Sequence, residues 1–392
     1  MGGCGSFLLP ARPRCLNLHP MRCLPFLALA LLGGTIGLRA QSPSPVTPAV
    51  ASRPAPVSPE ILEDGRVTFR LRAPQAQAVS VSGQFQKGRV PLVRDVAGDW
   101  SVTVGPIPAD IYEYRFTVDG LDMIDPANRA IKPMRSPRTS ILAIAGKPPR
   151  LHDWQDVPHG KVSLHTYRSR SLNRLRGLQV YTPPGYDAAP AGRFPVLYLF
   201  HGSGDNEATW VAHGQAHWIL DNLIAGGRAV PMIVVMLDGH AVIPGENTAG
   251  ARQGNVAAFE RDLLEDAMPF VAANYRTREE AGSRGIIGLS MGGGQSLNIG
   301  LRHSDRFAWV GGMSSSIREL PQALEQGDRL NAQLKLLWLA CGRDDFLVQP
   351  NRDFAAALQD RKIRHTYTET DGDHSWPVWR RYLGEFLPIV FR

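Results

Sequence analysis

Cysteine is nearly absent from the 392-residue chain: of four, Cys4, Cys15 and Cys23 fall before residue 24 and only Cys341 stands in the remainder. One remaining thiol forms no internal disulfide, which excludes a small fold held together by cystines. Charge of one sign is scarce as well. The formal net charge is +7, but Arg12, Arg14, Arg22 and Arg39 lie in a first stretch of 40 residues without a single acid, and setting these four aside leaves +3. A surplus that small, with no basic cluster among aromatics, offers no footprint for a nucleic-acid partner. The apolar run Leu24–Leu32 is too short to cross a bilayer, and no later run is longer. Gly292-Gly293-Gly294 lacks the lysine of a phosphate loop, and His365, Asp371, Asp373 and His374 follow no metal-ligand spacing. The expectation is therefore no metal and no cofactor.

What is present belongs to a folded, exported protein. Hydrophobic residues make up 43% of the chain, with 8 Trp, 9 Tyr and 14 Phe, enough to build a core and to exclude a disordered or fibrous class. Met21 to Ala40 reads as a positive start at Arg22, a short apolar run and small residues, the pattern of a signal peptide, so residues 1–40 are taken as a presequence and the mature chain as secreted or periplasmic. Residues 41–59, rich in Pro, Ser, Ala and Val, read as a tether.

From 60 to 146 the texture is period two. Arg66–Leu71, Ala78–Ser82, Trp100–Val104 and Tyr112–Val118 alternate apolar with polar between Gly, Pro, Asn and Asp, which predicts a small immunoglobulin-like β-sandwich. From 155 to 392 the pattern changes. Continuous apolar runs, Val196–Phe200, Met232–Met236, Gly285–Ile287 and Leu336–Ala340, are separated by helical stretches such as Phe259–Ala273. Strands buried on both faces look like this, so the fold class is α/β with a mostly parallel sheet. The connector Lys147–His152 is short and holds two prolines, so the two domains should touch.

Gly288-Leu289-Ser290-Met291-Gly292 matches G-x-S-x-G directly after one of these strands and before a helical stretch, the setting in which a strand-to-helix turn exposes a nucleophile. A serine hydroxyl is a poor nucleophile at neutral pH, so a base must take its proton and a carboxylate must orient the base. Both partners are available downstream in the required order: Asp344 and Asp345 after the strand ending at Ala340, and His374 after the strand Ile363–Thr370. His201-Gly202-Ser203-Gly204, after Val196–Phe200, offers a backbone N–H from Gly202 or Ser203 as a second oxyanion donor beside that of Met291. His201 reads as a packing or loop residue that borders the substrate. Trp376 and Trp379, just past His374, are candidates for a pocket wall or for the core, and Trp100, Tyr112 and Tyr114 for the sandwich core or for stacking on sugars.

Val157–Val162, Val180–Tyr186, Val196–Gly202, Ile219–Ile224, Asp262–Leu264, Gly288–Gly293 and His374–Trp376 together resemble the esterase D superfamily and, more narrowly, the feruloyl and acetyl-xylan esterases of carbohydrate esterase family 1. In such families a Gly-x-x-Asp loop carries the acid, which the resemblance places at Asp345 rather than Asp344. Trp100, Tyr112–Tyr114, Val118–Gly120 and Asp125–Asn128 resemble an early-set sandwich of the carbohydrate-binding module family 48 type. The implied protein is a secreted serine esterase acting on feruloylated or acetylated polysaccharide such as xylan. Two rivals are an esterase of catecholate siderophores, whose members also resemble a β domain joined to this fold, and a sugar-binding protein whose esterase fold is idle.

Overall fold

The computed structural model describes residues 53–242, 251–317 and 321–392; the presequence (1–40) and most of the tether (41–52) lie outside the described residues. From Pro54 onward the chain forms one compact unit. Its first part is a β-sandwich. One sheet has the order β1 (Glu60–Ile61), β2 (Val67–Arg72), β6 (Asp99–Val104), β5 (Val93–Arg94); the other runs β4 (Val90–Pro91), β3 (Val79–Gly83), β7 (Ile111–Val118), β8 (Leu121–Met123), with β9 (Ser140–Ala143) also pairing with β7. Alternation explains the two faces. Val67, Phe69 and Leu71 of β2 point inward with Val79 and Val81 of β3 and Tyr112, Tyr114 and Phe116 of β7, while Arg70 and Arg72 stay outside.

The second part is an eight-stranded sheet. The hairpin β10 (Lys161–Ser169) and β11 (Arg174–Thr182) is antiparallel, and β11 pairs antiparallel with β13 (Ile233–Leu237). The sheet then continues in parallel through β12 (Val196–Phe200), β14 (Arg284–Leu289), β15 (Trp309–Met313), β16 (Leu336–Gly342) and β17 (Thr366–Thr370). The continuous apolar runs serve two cores at once. Val196, Tyr198 and Phe200 of β12 face one layer, whereas Leu197 and Leu199 face the other. The first layer holds α3 (Ala251–Arg261), α4 (Met268–Asn274), α5 (Met291–Arg302), α6 (Gly327–Gln333) and α7 (Val348–Asp360), with a π-helical turn, Asp262–Ala267, joining α3 to α4. The opposite layer holds α1 (Thr209–Ala212), α2 (Ala216–Ala225) and α8 (Trp376–Phe386). This three-layer α/β-hydrolase architecture brings the loops after β12, β14, β16 and β17 to the carboxyl ends of neighbouring parallel strands, where open α/β sheets place their sites. No helix among the described residues is long and apolar enough to cross a membrane.

The sandwich and the hydrolase touch. Arg380 of α8 donates 2.6 Å to Asp110 Oδ1 and 2.7 Å to the Ile111 carbonyl at the start of β7. Because Arg380 is almost fully buried, this contact is part of the interior rather than a surface ion pair.

Candidate active site

β14 ends at Leu289 and α5 begins at Met291, so Ser290 is the single residue between strand and helix. Its backbone stands at φ 52°, ψ −114°, a strained conformation that persists in a non-glycine residue only where its surroundings enforce it. The flanking glycines do so. A Cβ on Gly288 would lie 2.4 Å from the backbone carbon of Gly292, and one on Gly292 would lie 2.5 Å from the His201 carbonyl oxygen. Strand, turn and helix can close on one another only with a hydrogen at both positions, which is the physical content of the G-x-S-x-G spacing.

His374 sits in the loop after β17 with its Nε2 3.0 Å from Ser290 Oγ. Its Nδ1 lies 2.9 and 3.0 Å from the two carboxylate oxygens of Asp345. The buried Asp345 also accepts the Leu347 amide at 2.8 Å. Burial by itself pushes this carboxyl up; hydrogen bonds from His374, the Leu347 amide and Ser314 outweigh it and hold the pKa below the ordinary carboxylate value. The neighbouring Asp344 is exposed, so of the doubled pair it is Asp345 that meets His374. The imidazole is held between two rings: Phe346 at 4.5 Å and Trp379, edge-on, at 4.8 Å. Trp379 is fixed in turn by its Nε1–H to Ser314 Oγ, 3.1 Å.

Met291 supplies the first amide of α5, and the first N–H groups of a helix have no partner within it. β12 runs parallel to β14 in the register Phe200 with Gly288, which lays the next loop beside Ser290. A Cβ built on Gly202 would come within 3.5 Å of the Ser290 Cβ. Met291 and Gly202 therefore stand beside the nucleophile position from two elements, with Ser203 next to Gly202 in the same loop.

Two sequence expectations change here. Trp376, a candidate substrate contact, is only 1% exposed; it packs edge-on against Trp210 at 4.9 Å and belongs to the core under the site. His201 is also buried and both ring nitrogens are occupied. Its Nε2 accepts the Gly239 amide at 2.8 Å, so the proton resides on Nδ1, which donates to the Gly202 carbonyl at 2.8 Å. His201 thus ties the loop after β12 to the loop after β13 and presents no free edge to a substrate. Trp100, Tyr112 and Tyr114 all lie in the sandwich core.

Sequence reasoning missed the supports of these loops. His240 Nε2 accepts the Gly204 amide at 3.1 Å, and burial, with Arg135 and Arg176 adding to it, lowers the His240 pKa to about 4, keeping it neutral for that task. Arg176 of β11 donates to the carbonyls of His240, at 2.6 Å, and Asp238, and pairs with the buried Asp262 at 3.2 Å. These partners stand between 62 and 86 residues apart, beyond any local pattern. Among the described residues no group of three His, Cys, Asp or Glu side chains is placed to hold a metal ion.

Fold and geometry define the class, an α/β-hydrolase with a Ser–His–Asp constellation at the carboxyl edge of its sheet. The family described as "Putative esterase" matches residues 169–388, more than half of the chain, and the protein belongs to that family. Carbohydrate-binding module 48, the isoamylase N-terminal domain, matches residues 55–133. An endo-1,4-beta-xylanase/feruloyl esterase of Xylanibacter ruminicola is 30% identical over 358 residues, covering 88% of this chain and 47% of that protein. Endo-1,4-beta-xylanase Y of Acetivibrio thermocellus is 32% identical over 266 residues, 59% of this chain and 23% of its own length. The chain thus spans about half of the first relative and about a quarter of the second. Among solved structures, a ferulic acid esterase superposes with a TM-score of 0.54 at 27% identity, covering 60% of this chain and 98% of its own. The enterobactin esterase of Shigella flexneri, at 19% identity and a TM-score of 0.62, covers 83% of this chain and 93% of its own and shares the fold.

Proposed function

We propose that the protein is an exported serine carboxylesterase that removes feruloyl or acetyl groups from plant cell-wall polysaccharide such as xylan. The observation that carries the reading is the chain of contacts from Ser290 Oγ through His374 to Asp345, aligned beside the amides of Met291 and Gly202. In the first half-reaction Ser290 Oγ attacks the ester carbonyl while His374 Nε2 takes its proton, and Asp345 keeps the imidazole in the tautomer that leaves Nε2 free to accept. The oxyanion falls between the amides of Met291 and of Gly202 or Ser203. Collapse expels the sugar alcohol, which receives the proton from His374, and leaves an acyl-Ser290 ester. Water then repeats the sequence, releasing the acid and restoring the hydroxyl.

The substrate class is supported by the relatives that carry feruloyl esterase in their names and by the match of the first domain to a carbohydrate-binding module. Export is supported by the pattern of residues 21–40. A siderophore esterase remains the rival because the Shigella flexneri fold neighbour spans both domains. The test is a panel of feruloylated arabinoside, acetylated xylan and catecholate trilactone compared by kcat/KM, with Ser290→Ala alongside. The highest value is expected on one of the two sugar esters, and Ser290→Ala is expected to lose about 10⁴-fold or more in kcat. Preference for the trilactone would transfer the protein to the rival class, and a Ser290→Ala protein that keeps a tenth of its turnover would sink the serine mechanism.

A further inference from the structure

The loop that carries Gly202 and Ser203 is held from outside its own domain. Between β8 and β9 the sandwich sends a strip, Ile131 to Arg135, against it: Met134 forms a bridge with Asp205, the Arg135 amide donates to the Gly204 carbonyl at 3.0 Å, and Thr209 Oγ1 donates to the Pro133 carbonyl at 2.7 Å. Lys132 lies at the centre of this contact. Its Nζ is 2.9 Å from Asp205 Oδ1 and 2.9 Å from Glu113 Oε1 on β7, with side-chain exposures of 7% for Lys132 and 5% for Asp205. The same ammonium stands 5.6 Å from the ring centroid of Trp376, two residues beyond His374. Asp205 in turn closes a tight turn, its amide donating to the Gly202 carbonyl at 3.3 Å. Fixing the carboxylate of Asp205 and the carbonyl of Gly204 therefore anchors the far end of the turn that holds Gly202 and Ser203, whose near end His201 ties to Gly239.

We infer that Lys132 of the β-sandwich is a positioning residue for the ester hydrolysis proposed above: by gripping Asp205 against Glu113 it sets the Gly202–Ser203 amides at the oxyanion position. The inference rests on that reading of Ser290 and its oxyanion donors. Two features separate it from plain domain docking. The pair is buried, so loss of the ammonium leaves a carboxylate without its partner inside the loop itself rather than at a solvated rim. Burial already pushes the Asp205 carboxyl up, with Lys132 opposing, so without Lys132 the side chain drifts toward the neutral form and the grip is lost. The effect belongs on the chemical step, because an oxyanion donor acts chiefly in the transition state.

The test uses the full chain and a small soluble ester, 4-nitrophenyl acetate, too small to call on any sugar contact of the sandwich. Lys132→Met should lower kcat by roughly 10- to 100-fold, the scale that misplacement of catalytic groups by an ångström produces, with KM changed less than about twofold. Lys132→Arg should recover most of kcat. Arg72→Met, which breaks the 2.8 Å pair with Asp99 on the outer face of the sandwich, should leave kcat unchanged. Should Lys132→Met fail to fold, the double variant Lys132→Met/Asp205→Asn, which carries no unpaired carboxylate in the loop, decides the matter: a folded protein with lowered kcat supports the inference, and one with full kcat overturns it. Folded Lys132→Met with unaltered kcat, or an equal loss in Arg72→Met, also overturns it. Ser290→Ala run in parallel keeps the two readings apart. An inactive Ser290→Ala protein beside a fully active Lys132→Met protein removes only the role of Lys132, whereas an active Ser290→Ala protein removes the serine mechanism and this inference with it.

Discussion

Both domains bury most of their aromatic residues, but they differ in whether any ring is left largely exposed. In the sandwich, Phe69, Trp100, Tyr112, Tyr114 and Phe116 are all committed to the core. In the hydrolase part, Phe346 stands beside His374 with 74% of its surface exposed, and Trp154 on the connector is 57% exposed and stacked on His159. Rings available to an aromatic acyl group or a sugar face thus lie on the hydrolase and its connector, while the sandwich reaches the site through charge and main chain. Family membership of a first domain says little about which of its surfaces works, and the side-chain placement says more.

The largest expected effect tests the hydrolase side. Asp345→Asn should lower kcat by something near 10⁴, because an imidazole without its carboxylate takes the wrong tautomer, while Asp344→Asn should cost at most about tenfold. Kinetics of both proteins on one chromogenic ester decide it, and a reversed order would move the acid by one residue. Next comes the seam between the domains. Arg380→Met leaves Asp110 with the longer 3.4 Å contact to Arg150 and the Ile111 amide, and should destabilise the protein by up to about 3 kcal/mol, read as a fall in the denaturant midpoint. A midpoint within error of wild type would mean that the two domains hold together without this pair.

A smaller effect is expected at the exposed ring. Phe346→Ala should lower kcat/KM on a feruloyl ester by roughly 2- to 10-fold, the range of one aromatic pair, and leave 4-nitrophenyl acetate within about twofold. Equal losses on both substrates would assign the ring to holding His374 instead. The smallest effect is electrostatic. Burial lowers the His217 pKa to about 4 from an ordinary value of 6.5. Below pH 6.5 the unfolded chain takes up a proton that the folded chain refuses, so stability contributed by the neutral ring is present above 6.5 and is lost as the pH falls toward 4. Denaturant titrations of His217→Asn should therefore show a shallower loss of stability across that window than wild type.

The site was legible where its chemistry is local. Gly288, Ser290 and Gly292 are forced by one turn, and the order of Asp345 and His374 follows from loops at successive parallel strands. β15 left little trace, because Trp309-Val310-Gly311-Gly312-Met313 carries two glycines that weaken any strand signal; a side chain at Gly311 would collide with Ile287 of β14. Trp376 is ambiguous in sequence because a large aromatic beside a histidine fits a pocket wall and a core equally well, and burial alone separates them. Lys132 gave no signal at all. Its partners, Glu113 and Asp205, are 19 and 73 positions away, and only the meeting of two domains brings them together.

That seam bears on how this architecture can be recombined. A module joined by a flexible tether can be removed, duplicated or traded for another with little regard to its neighbour. Here Lys132 and the Met134–Asp205 bridge on one side, and Arg380 with Asp110 on the other, write half of each contact into each domain. A chimaera that replaces the sandwich must bring its own counterparts to Asp205 and Arg380, or inherit a hydrolase with two buried charges and no one to answer them.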